Sequence, residues 1–267
     1  MNNVTLGKYL PLDSFVHKLD PRTKICVMFV LLVGIFLPCG FIGYGIIGLF
    51  LVISVLLSKL SISYIWKSFK PTLVTLVFLL IINIFVIKTG DVLVSFWKIT
   101  IYKDALTQTL YIVVRLLLMI VITTLLTATT KPLDLTLGLE DLMIPLEKLG
   151  LRTHDLAMMI SLALRFIPTL LEEAQRILKA QASRGVDMEN GSFKEKINAI
   201  LSLIVPLFVS CFQKAEDLAD AMEARGYIVG AKRVRYKQLK FAWYDFVVLV
   251  VSNGVLAGLI CLWVKMK

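Results

Sequence analysis

Long runs with almost no charged residues alternate with short polar segments along most of the chain. Five of these runs are close to membrane-spanning length, at 25–37, 41–57, 72–87, 106–128 and 246–264. A helix that crosses a bilayer needs about 20 predominantly apolar residues, because the hydrocarbon core is roughly 30 Å thick. The pattern therefore predicts an all-α integral membrane protein with about five transmembrane helices.

The first two runs are separated only by Pro38-Cys39-Gly40. A single helix over 23–57 would be about 50 Å long at a rise of 1.5 Å per residue, well beyond a hydrocarbon core of roughly 30 Å. Proline and glycine together are typical of turns. We therefore expect a tight hairpin here, with a helix on each side.

Between the fourth and fifth runs the pattern changes to amphipathic helix. This coupling segment, 131–241, separates an N-terminal part at 1–130 from a last transmembrane helix at 242–267. It predicts three cytoplasmic helices, of which the second and third are long and amphipathic, at 134–149, 154–184 and 193–225. Because 197–212 is almost wholly apolar, a sixth span there is the alternative.

Apolar side chains recur every three or four residues along these two long helices, so each has one apolar face. The candidates for a protein contact on these faces are Leu156, Ile160, Ile167, Leu171, Leu203 and Leu207. The alternative is that the two faces pack on each other and on the inner leaflet. Pro168 and Pro206 lie inside the helices and predict a bend rather than a break.

Both long helices end in the same way. The second closes on Ala182-Ser183-Arg184-Gly185 and the third on Glu223-Ala224-Arg225-Gly226. A cation in the last turn and a following glycine stop a helix by ordinary capping, which is one explanation. The other is recognition, because small neighbours let a partner approach while the guanidinium offers a planar fork of donors. The residues alone leave both explanations open.

Composition agrees with a membrane protein: 58% of residues are hydrophobic and the formal net charge is +10. The distribution of this charge mainly indicates membrane topology, because Lys and Arg concentrate before the first run, between the second and third runs, and after the fourth run. The alternate segments hold only Lys88, Lys98, Lys103, Lys265 and Lys267. This bias predicts a cytoplasmic N-terminus and an outside C-terminus. No basic stripe with interleaved aromatics suggests nucleic acid as a partner.

Few residues suggest chemistry. The two histidines, His17 and His154, are far apart, and the four cysteines show no metal-ligand or redox spacing. We expect no catalytic site, no metal site and no bound cofactor. Arg115 lies inside the fourth run, where an ionisable side chain suggests either a functional site or a hydrogen bond within the bundle. Arg165 could pair with Glu172 or Glu173, or reach lipid headgroups.

Several motifs in this order resemble the T-component of energy-coupling factor (ECF) transporters, over nearly the full chain. They comprise Leu19-Asp20-Pro21-Arg22-Thr23-Lys24, Thr129-Thr130-Lys131-Pro132, Pro145-Leu146, Leu149-Gly150, Ala163-Leu164-Arg165-Phe166-Ile167-Pro168, Glu172-Glu173, Ala180-Gln181-Ala182-Ser183-Arg184-Gly185 and Ala221-Met222-Glu223-Ala224-Arg225-Gly226-Tyr227. Each motif is weak alone, and together they are specific. Arg233-Val234-Arg235 matches no family motif and could be juxtamembrane charge attracted to anionic lipid.

The resemblance implies a non-catalytic energy-coupling subunit in the plasma membrane of a prokaryote. Such a subunit binds two cytoplasmic ATP-binding-cassette ATPases, here through Arg184 and Arg225. It also binds a membrane substrate-binding subunit (the S-component), for which the apolar-face residues named above, Leu156 to Leu207, are the candidate contacts. The ATPases use ATP, and the complex imports a vitamin or metal ion. The alternative is a self-sufficient secondary transporter or channel. Such proteins have two related halves and acidic residues in mid-membrane, whereas this chain has no internal repeat and its spans are poor in acidic residues.

Overall fold

The computed structural model describes residues 9–87, 89, 91–96, 99–150, 153–186, 192–228 and 238–266. The described residues divide into two compact units. The membrane unit contains 9–142 and 239–266, and the coupling unit contains 143–186, 192–228 and 238. Arg233-Val234-Arg235 and its surroundings lie outside the described residues.

The described residues form nine α-helices, one 3-10 helix and one two-stranded hairpin. The membrane unit has α1 (Phe15–Lys18), α2 (Pro21–Phe36), α3 (Gly40–Ser58), α4 (Ile62–Val86), β1 (Val92–Phe96), β2 (Ile99–Tyr102), α5 (Lys103–Thr129), α6 (Pro132–Met143) and α9 (Trp243–Met266). The coupling unit has the 3-10 helix (Ile144–Leu149), α7 (Thr153–Ser183) and α8 (Phe193–Ala224). The antiparallel hairpin of β1 and β2 was not predicted.

The all-α membrane architecture is confirmed. Each predicted apolar run lies in a helix to within one residue, and the predicted hairpin is present, because α2 ends at Phe36 and α3 begins at Gly40. α4 begins ten residues before the predicted run at 72. The charged Lys67 and Lys70 ended the apolar run in the sequence, but they do not end the helix. Among the described residues, six helices are long and apolar enough to cross a membrane, namely α3, α4, α5, α7, α8 and α9. α2, which carries the first predicted run, is not among them, because it has only 16 residues.

The first predicted cytoplasmic helix, 134–149, is wrong in one respect. The α-helix ends at Met143, and the chain continues as a 3-10 helix that has Pro145 in its first turn. Proline has no N–H to donate to the carbonyl four residues earlier, so the α-helical ladder is interrupted there. α7 and α8 match their predictions closely and continue through Pro168 and Pro206.

The core of the membrane unit lies where α2, α3, α5 and α9 meet. Ile35 and Ile47 are fully buried, and Leu259 is 1% exposed. The Cys39 thiol lies in this core and donates to the carbonyl of Leu259 at 3.1 Å. Close packing of this kind ties the turn between α2 and α3 to the last helix.

Candidate functional site

The end of α7 is a complete capping turn. The Gly185 N–H donates to the Ala182 carbonyl at 3.0 Å, and the Val186 N–H donates to the Gln181 carbonyl at 3.1 Å. Gly185 has a φ of +83°, which is the left-handed conformation that residues with a Cβ rarely adopt. These two bonds form the Schellman motif, in which a left-handed glycine satisfies the last free carbonyls of a helix.

The end of α8 repeats this geometry. The Gly226 N–H donates to Glu223 at 2.8 Å, the Tyr227 N–H donates to Met222 at 2.9 Å, and Gly226 has a φ of +76°. In both turns the arginine stands immediately before the glycine. The predicted tip residues on both helices are all exposed, namely Ala182, Ser183, Arg184, Gly185, Ala224, Arg225 and Gly226. Each tip therefore presents one arginine on a fixed backbone.

Side-chain interactions between described residues hold α7 against α8. The Gln181 amide donates to the Ser202 carbonyl at 3.1 Å, and the Lys214 ammonium lies 3.4 Å from a carboxylate oxygen of Glu173. Ser202 is four residues before Pro206, and proline has no N–H. The Ser202 carbonyl therefore has no donor within the helix. Gln181 supplies that donor. The sequence shows that Pro206 leaves this carbonyl free. Which side chain donates to it depends on the packing of the two helices.

The same interactions place the two tips far apart. Later positions of α7 pair with earlier positions of α8, so the helices run antiparallel. Arg184 follows Gln181 by one turn and is thus near Ser202, whereas Arg225 lies about 35 Å further along α8 at 1.5 Å per residue. The bend expected at Pro206 shortens this path only modestly. Two separate partner surfaces could each receive one tip.

Apolar side chains remain exposed on both helices of the coupling unit. On α7 the predicted contact residues Leu156, Ile160, Ile167 and Leu171 are all exposed. On α8 the predicted Leu203 and Leu207 are half-buried. Sequence reasoning did not separate them from the more exposed residues of the same run, which are Ile197, Ile200, Leu201, Ile204, Val205, Phe208, Val209 and Phe212.

A single arginine in the membrane unit binds the chain on both sides of the coupling unit. Arg22, at the start of α2, forms an ion pair with Asp141 at 2.8 Å and reaches the Leu239 carbonyl at 3.4 Å. Asp141 is in α6, just before the coupling unit begins, and Leu239 directly follows it. α6 also packs tightly against α2 here, since a Cβ on Gly138 would lie 3.2 Å from the backbone nitrogen of Arg22.

The neighbouring Asp20 and Asp245 join α2 to α9. Asp245 is fully buried, and its carboxylate accepts from the Asp20 N–H at 2.8 Å and from the Ala242 N–H at 2.8 Å. The Asp20 carboxylate in turn caps α2 by accepting from the Arg22 N–H at 2.9 Å. The motif at 19–24 thus organises the junction of α2, α6 and α9.

Two further arginines were candidates in the sequence. The Arg115 Nε–H donates to the Tyr44 hydroxyl at 2.9 Å, and the guanidinium lies 5.4 Å from the centres of the Phe36 and Tyr111 rings. This confirms a hydrogen-bonding role within the bundle. Arg165 is exposed.

Glu173, one of the two predicted partners of Arg165, pairs with other cations instead. Its carboxylate interacts with Lys214 and lies 3.8 Å from Arg176. Among the ranges described above, no group of three His, Cys, Asp or Glu residues could hold a metal ion. The chemically distinctive features of the described chain are therefore its arginines and the helices that carry them.

Comparison with known proteins gives a consistent result. The family model described as cobalt transport protein (CbiQ) matches residues 13–236. The chain is 44% identical over 252 residues to the energy-coupling factor transporter transmembrane protein EcfT of Brevibacillus brevis, covering 94% of this chain and 95% of that protein.

Two other relatives carry the same name. The Bacillus subtilis protein is 43% identical over 260 residues, covering 97% of this chain and 98% of its own length. The Lactococcus lactis protein is 40% identical over 267 residues, covering 100% of both chains. The similarity therefore includes both arginine tips and the Arg22 junction.

Proposed function

Because this chain belongs to the CbiQ family, as an energy-coupling factor transporter transmembrane protein, we propose that its two arginine tips each dock one cytoplasmic ATPase. The observation that carries the proposal is the repeated tip: the same capping turn presents an exposed arginine at the end of α7 and of α8. A planar guanidinium suits a groove lined with carboxylates or backbone carbonyls.

The spacing of the tips supports two ATPase partners rather than one. A separation of about 35 Å along α8 exceeds the diameter of a small domain, roughly 30 Å, so a single docking groove cannot receive both arginines. Two copies of an ATPase subunit, or two related subunits, would each present one groove. Both interactions would use the same main-chain geometry, since the two turns have the same hydrogen bonds.

The exposed apolar faces of α7 and α8 are the proposed contact for a membrane substrate-binding subunit. Leu156, Ile160, Ile167 and Leu171 are exposed on α7, and the α8 surface continues around the half-buried Leu203 and Leu207. Large exposed apolar patches are typical of protein or membrane contacts. A partner that is itself a bundle of apolar helices would fit such a surface.

Energy coupling follows from the levers that α7 and α8 form. ATP binding and hydrolysis take place on the partner ATPases, while this chain binds no cofactor and performs no catalytic step. When the ATPases close, the tips move and the long helices shift as packed units rather than deforming smoothly. Their apolar faces then reorient the substrate-binding subunit, and the complex thereby imports a vitamin or a metal ion.

The membrane topology proposed for this role has the N-terminus in the cytoplasm and the C-terminus outside. The excess of Lys and Arg in alternate segments supports it. The same bias supports a cytoplasmic position for the arginine tips, where soluble ATPases can reach them. The membrane is then the plasma membrane of a prokaryote.

The decisive experiment is affinity purification of the tagged chain with its partners in mild detergent. Recovery of ATPase subunits is expected with the wild type and its loss with Arg184→Glu combined with Arg225→Glu. Each single variant should lose part of the recovery, because the other tip remains. Undiminished recovery with the double variant, at wild-type amounts of folded protein, would refute docking through the tips.

Lys194→Glu combined with Lys196→Glu is a matched control. Both lysines are exposed in the first turn of α8, a part of that helix close to the Arg184 tip. This variant reverses the same number of positive charges without changing either arginine, so ATPase recovery should persist. Arg184→Lys with Arg225→Lys separates charge from shape, because lysine lacks the planar fork.

A further inference from the structure

The membrane unit contains an apolar cavity of about 160 Å³. Its deepest wall consists of the core residues Leu31, Leu51 and Ile122, from α2, α3 and α5. α1 and α9 complete the lining through residues such as Val16 and Val248. A protein cavity of about 150 Å³ with apolar walls can hold a ligand of benzene size, so a segment of hydrocarbon chain fits here.

One end of the cavity is polar, and among the described residues that line it only one polar side chain is without a hydrogen-bond partner. The Lys24 ammonium donates to the Thr129 carbonyl at 3.0 Å and to the Thr130 hydroxyl at 3.2 Å, and the Thr129 hydroxyl donates to Leu125. Thr23 lines the cavity and is 1% exposed. Within the described chain its hydroxyl has no hydrogen-bond partner.

A buried hydroxyl without a partner costs free energy and calls for an acceptor. Water is a poor occupant, since a buried water needs two to four polar partners and Thr23 offers one. The remaining walls are almost entirely apolar. The cavity therefore matches an amphiphile that has a long hydrocarbon chain and a single hydrogen-bond acceptor close to its polar end.

The cavity is accessible from the outer surface of the bundle. Ile53 and Leu57 of α3, and Val247 and Val251 of α9, both line it and are between two-fifths and half exposed. These residues place its opening between α3 and α9, on a surface that faces lipid in a membrane protein.

Two exposed cations lie close in sequence to the polar end of the cavity. Lys18 precedes the lining residue Leu19, and Lys59 follows the lining residue Leu57 by two positions. Cations next to a membrane surface attract anionic lipid. The chemistry at this end of the site therefore favours a negatively charged headgroup.

We propose that the cavity binds one acyl chain of an anionic glycerophospholipid. The acyl chain lies against Leu31, Leu51 and Ile122, and its ester carbonyl accepts a hydrogen bond from the Thr23 hydroxyl. The phosphate is attracted by Lys18 and Lys59. The lipid thereby fills the space between α2 and α3 and becomes part of the packed membrane unit.

The test uses the full transporter complex in vesicles of phosphatidylethanolamine with a phosphatidylglycerol probe that carries a photoactivatable diazirine on one acyl chain. After irradiation, peptide mass spectrometry should find the probe attached to cavity residues such as Met28 and Leu126. Val248→Phe places a larger side chain in the cavity and should lower this labelling about tenfold, the factor that corresponds to 1.4 kcal/mol. Val250→Phe, an exposed position of α9 that does not line the cavity, should leave it unchanged.

A second variant keeps the proposal testable if Val248→Phe folds poorly. Thr23→Val keeps the shape but removes the unpaired hydroxyl, so the delipidated variant should unfold at the same temperature as the wild type or higher. Added phosphatidylglycerol should raise that temperature less in the variant than in the wild type.

Three results would overturn the proposal. Labelling restricted to exposed surface residues would show that no acyl chain enters, and an equal gain in unfolding temperature for wild type and Thr23→Val would remove the ester assignment. Equal labelling by a phosphatidylcholine probe would exclude selection of an anionic headgroup.

Discussion

Gln181 of α7 donates to the Ser202 carbonyl of α8, and that carbonyl is free because Pro206 lacks an N–H. The residue that bends α8 therefore also creates the acceptor that binds α7. Gln181 additionally accepts, through its own carbonyl, the bonds from Arg184 and Val186 that close the first arginine tip. One residue thus connects the bend of α8 with the tip of α7.

Gln181→Leu should destabilise the pair of long helices by about 1–3 kcal/mol, because it leaves a half-buried carbonyl unsatisfied. Pro206→Ala provides the control, since alanine supplies an N–H that can bond Ser202 within the helix. In that background Gln181→Leu should cost much less. Denaturant unfolding of the four proteins measures the difference, and an equal cost in both backgrounds would show that the bond contributes nothing.

Gly185→Ala and Gly226→Ala should each destabilise their helix end by about 1–2 kcal/mol, because both glycines have a positive φ. The space around each glycine is open, so the effect arises from backbone conformation rather than from a clash. Hydrogen exchange at the Val186 and Tyr227 amides should accelerate.

Gly45→Ala is the matched control for these variants. Gly45 lies inside α3 with open space around its Cα, so alanine should be neutral or slightly stabilising there. ATPase recovery should fall in the tip variants and stay at the wild-type level in the control. Unchanged exchange at both tips would mean that alanine adopts the capping turn without strain.

The sequence predicted those parts of the fold that depend on local pattern. Apolar runs and charged ends located the helices, and Pro38-Cys39-Gly40 located the break between α2 and α3. The tips were predictable as well, since Arg184-Gly185 and Arg225-Gly226 follow periodic helices directly. Each of these features depends on residues that are close together in the chain.

Features that depend on packing between distant elements were not predictable. Arg22 precedes Asp141 by more than a hundred residues, and nothing in either motif indicates the pairing. The position of Gln181 opposite Ser202 depends on the crossing of two helices whose apolar faces allow several registers. Leu203 and Leu207 illustrate the same point. They lie in an almost wholly apolar run, so the sequence does not indicate which residues of that run are exposed in the folded protein.

His17 should make stability depend on pH. Its Nε2 lies 3.0 Å from the Leu10 carbonyl, which can only accept, so Nε2 carries the proton and Nδ1 accepts from the Ser14 hydroxyl at 2.7 Å. Burial lowers the pKa of the His17 imidazole below its usual value, and the positive charge of Lys24 acts in the same direction. The folded protein therefore favours the neutral imidazole.

The stability that comes from neutral His17 is complete above its unfolded pKa of about 6.5 and is lost as the pH falls through the lower folded pKa. Thermal unfolding from pH 7.5 downward should show a decrease that begins near pH 6.5. His17→Gln should flatten this dependence, because glutamine does not titrate. A variant with the wild-type pH dependence would assign the decrease to other groups.

Arg22 binds the chain at both sides of the coupling unit, through Asp141 and Leu239, so we expect it to transmit movement rather than to bind the ATPases. Arg22→Met should leave ATPase recovery intact but lower the amount of substrate imported per ATP hydrolysed in proteoliposomes. Arg22→Lys should restore part of this ratio, because an ammonium can pair with Asp141 but lacks the fork that reaches Leu239 as well. Lys240→Met, an exposed cation next to Leu239, should keep the wild-type ratio. An unchanged ratio in Arg22→Met would reduce the junction to a structural contact, whereas loss of ATPase recovery would show that it positions the tips themselves.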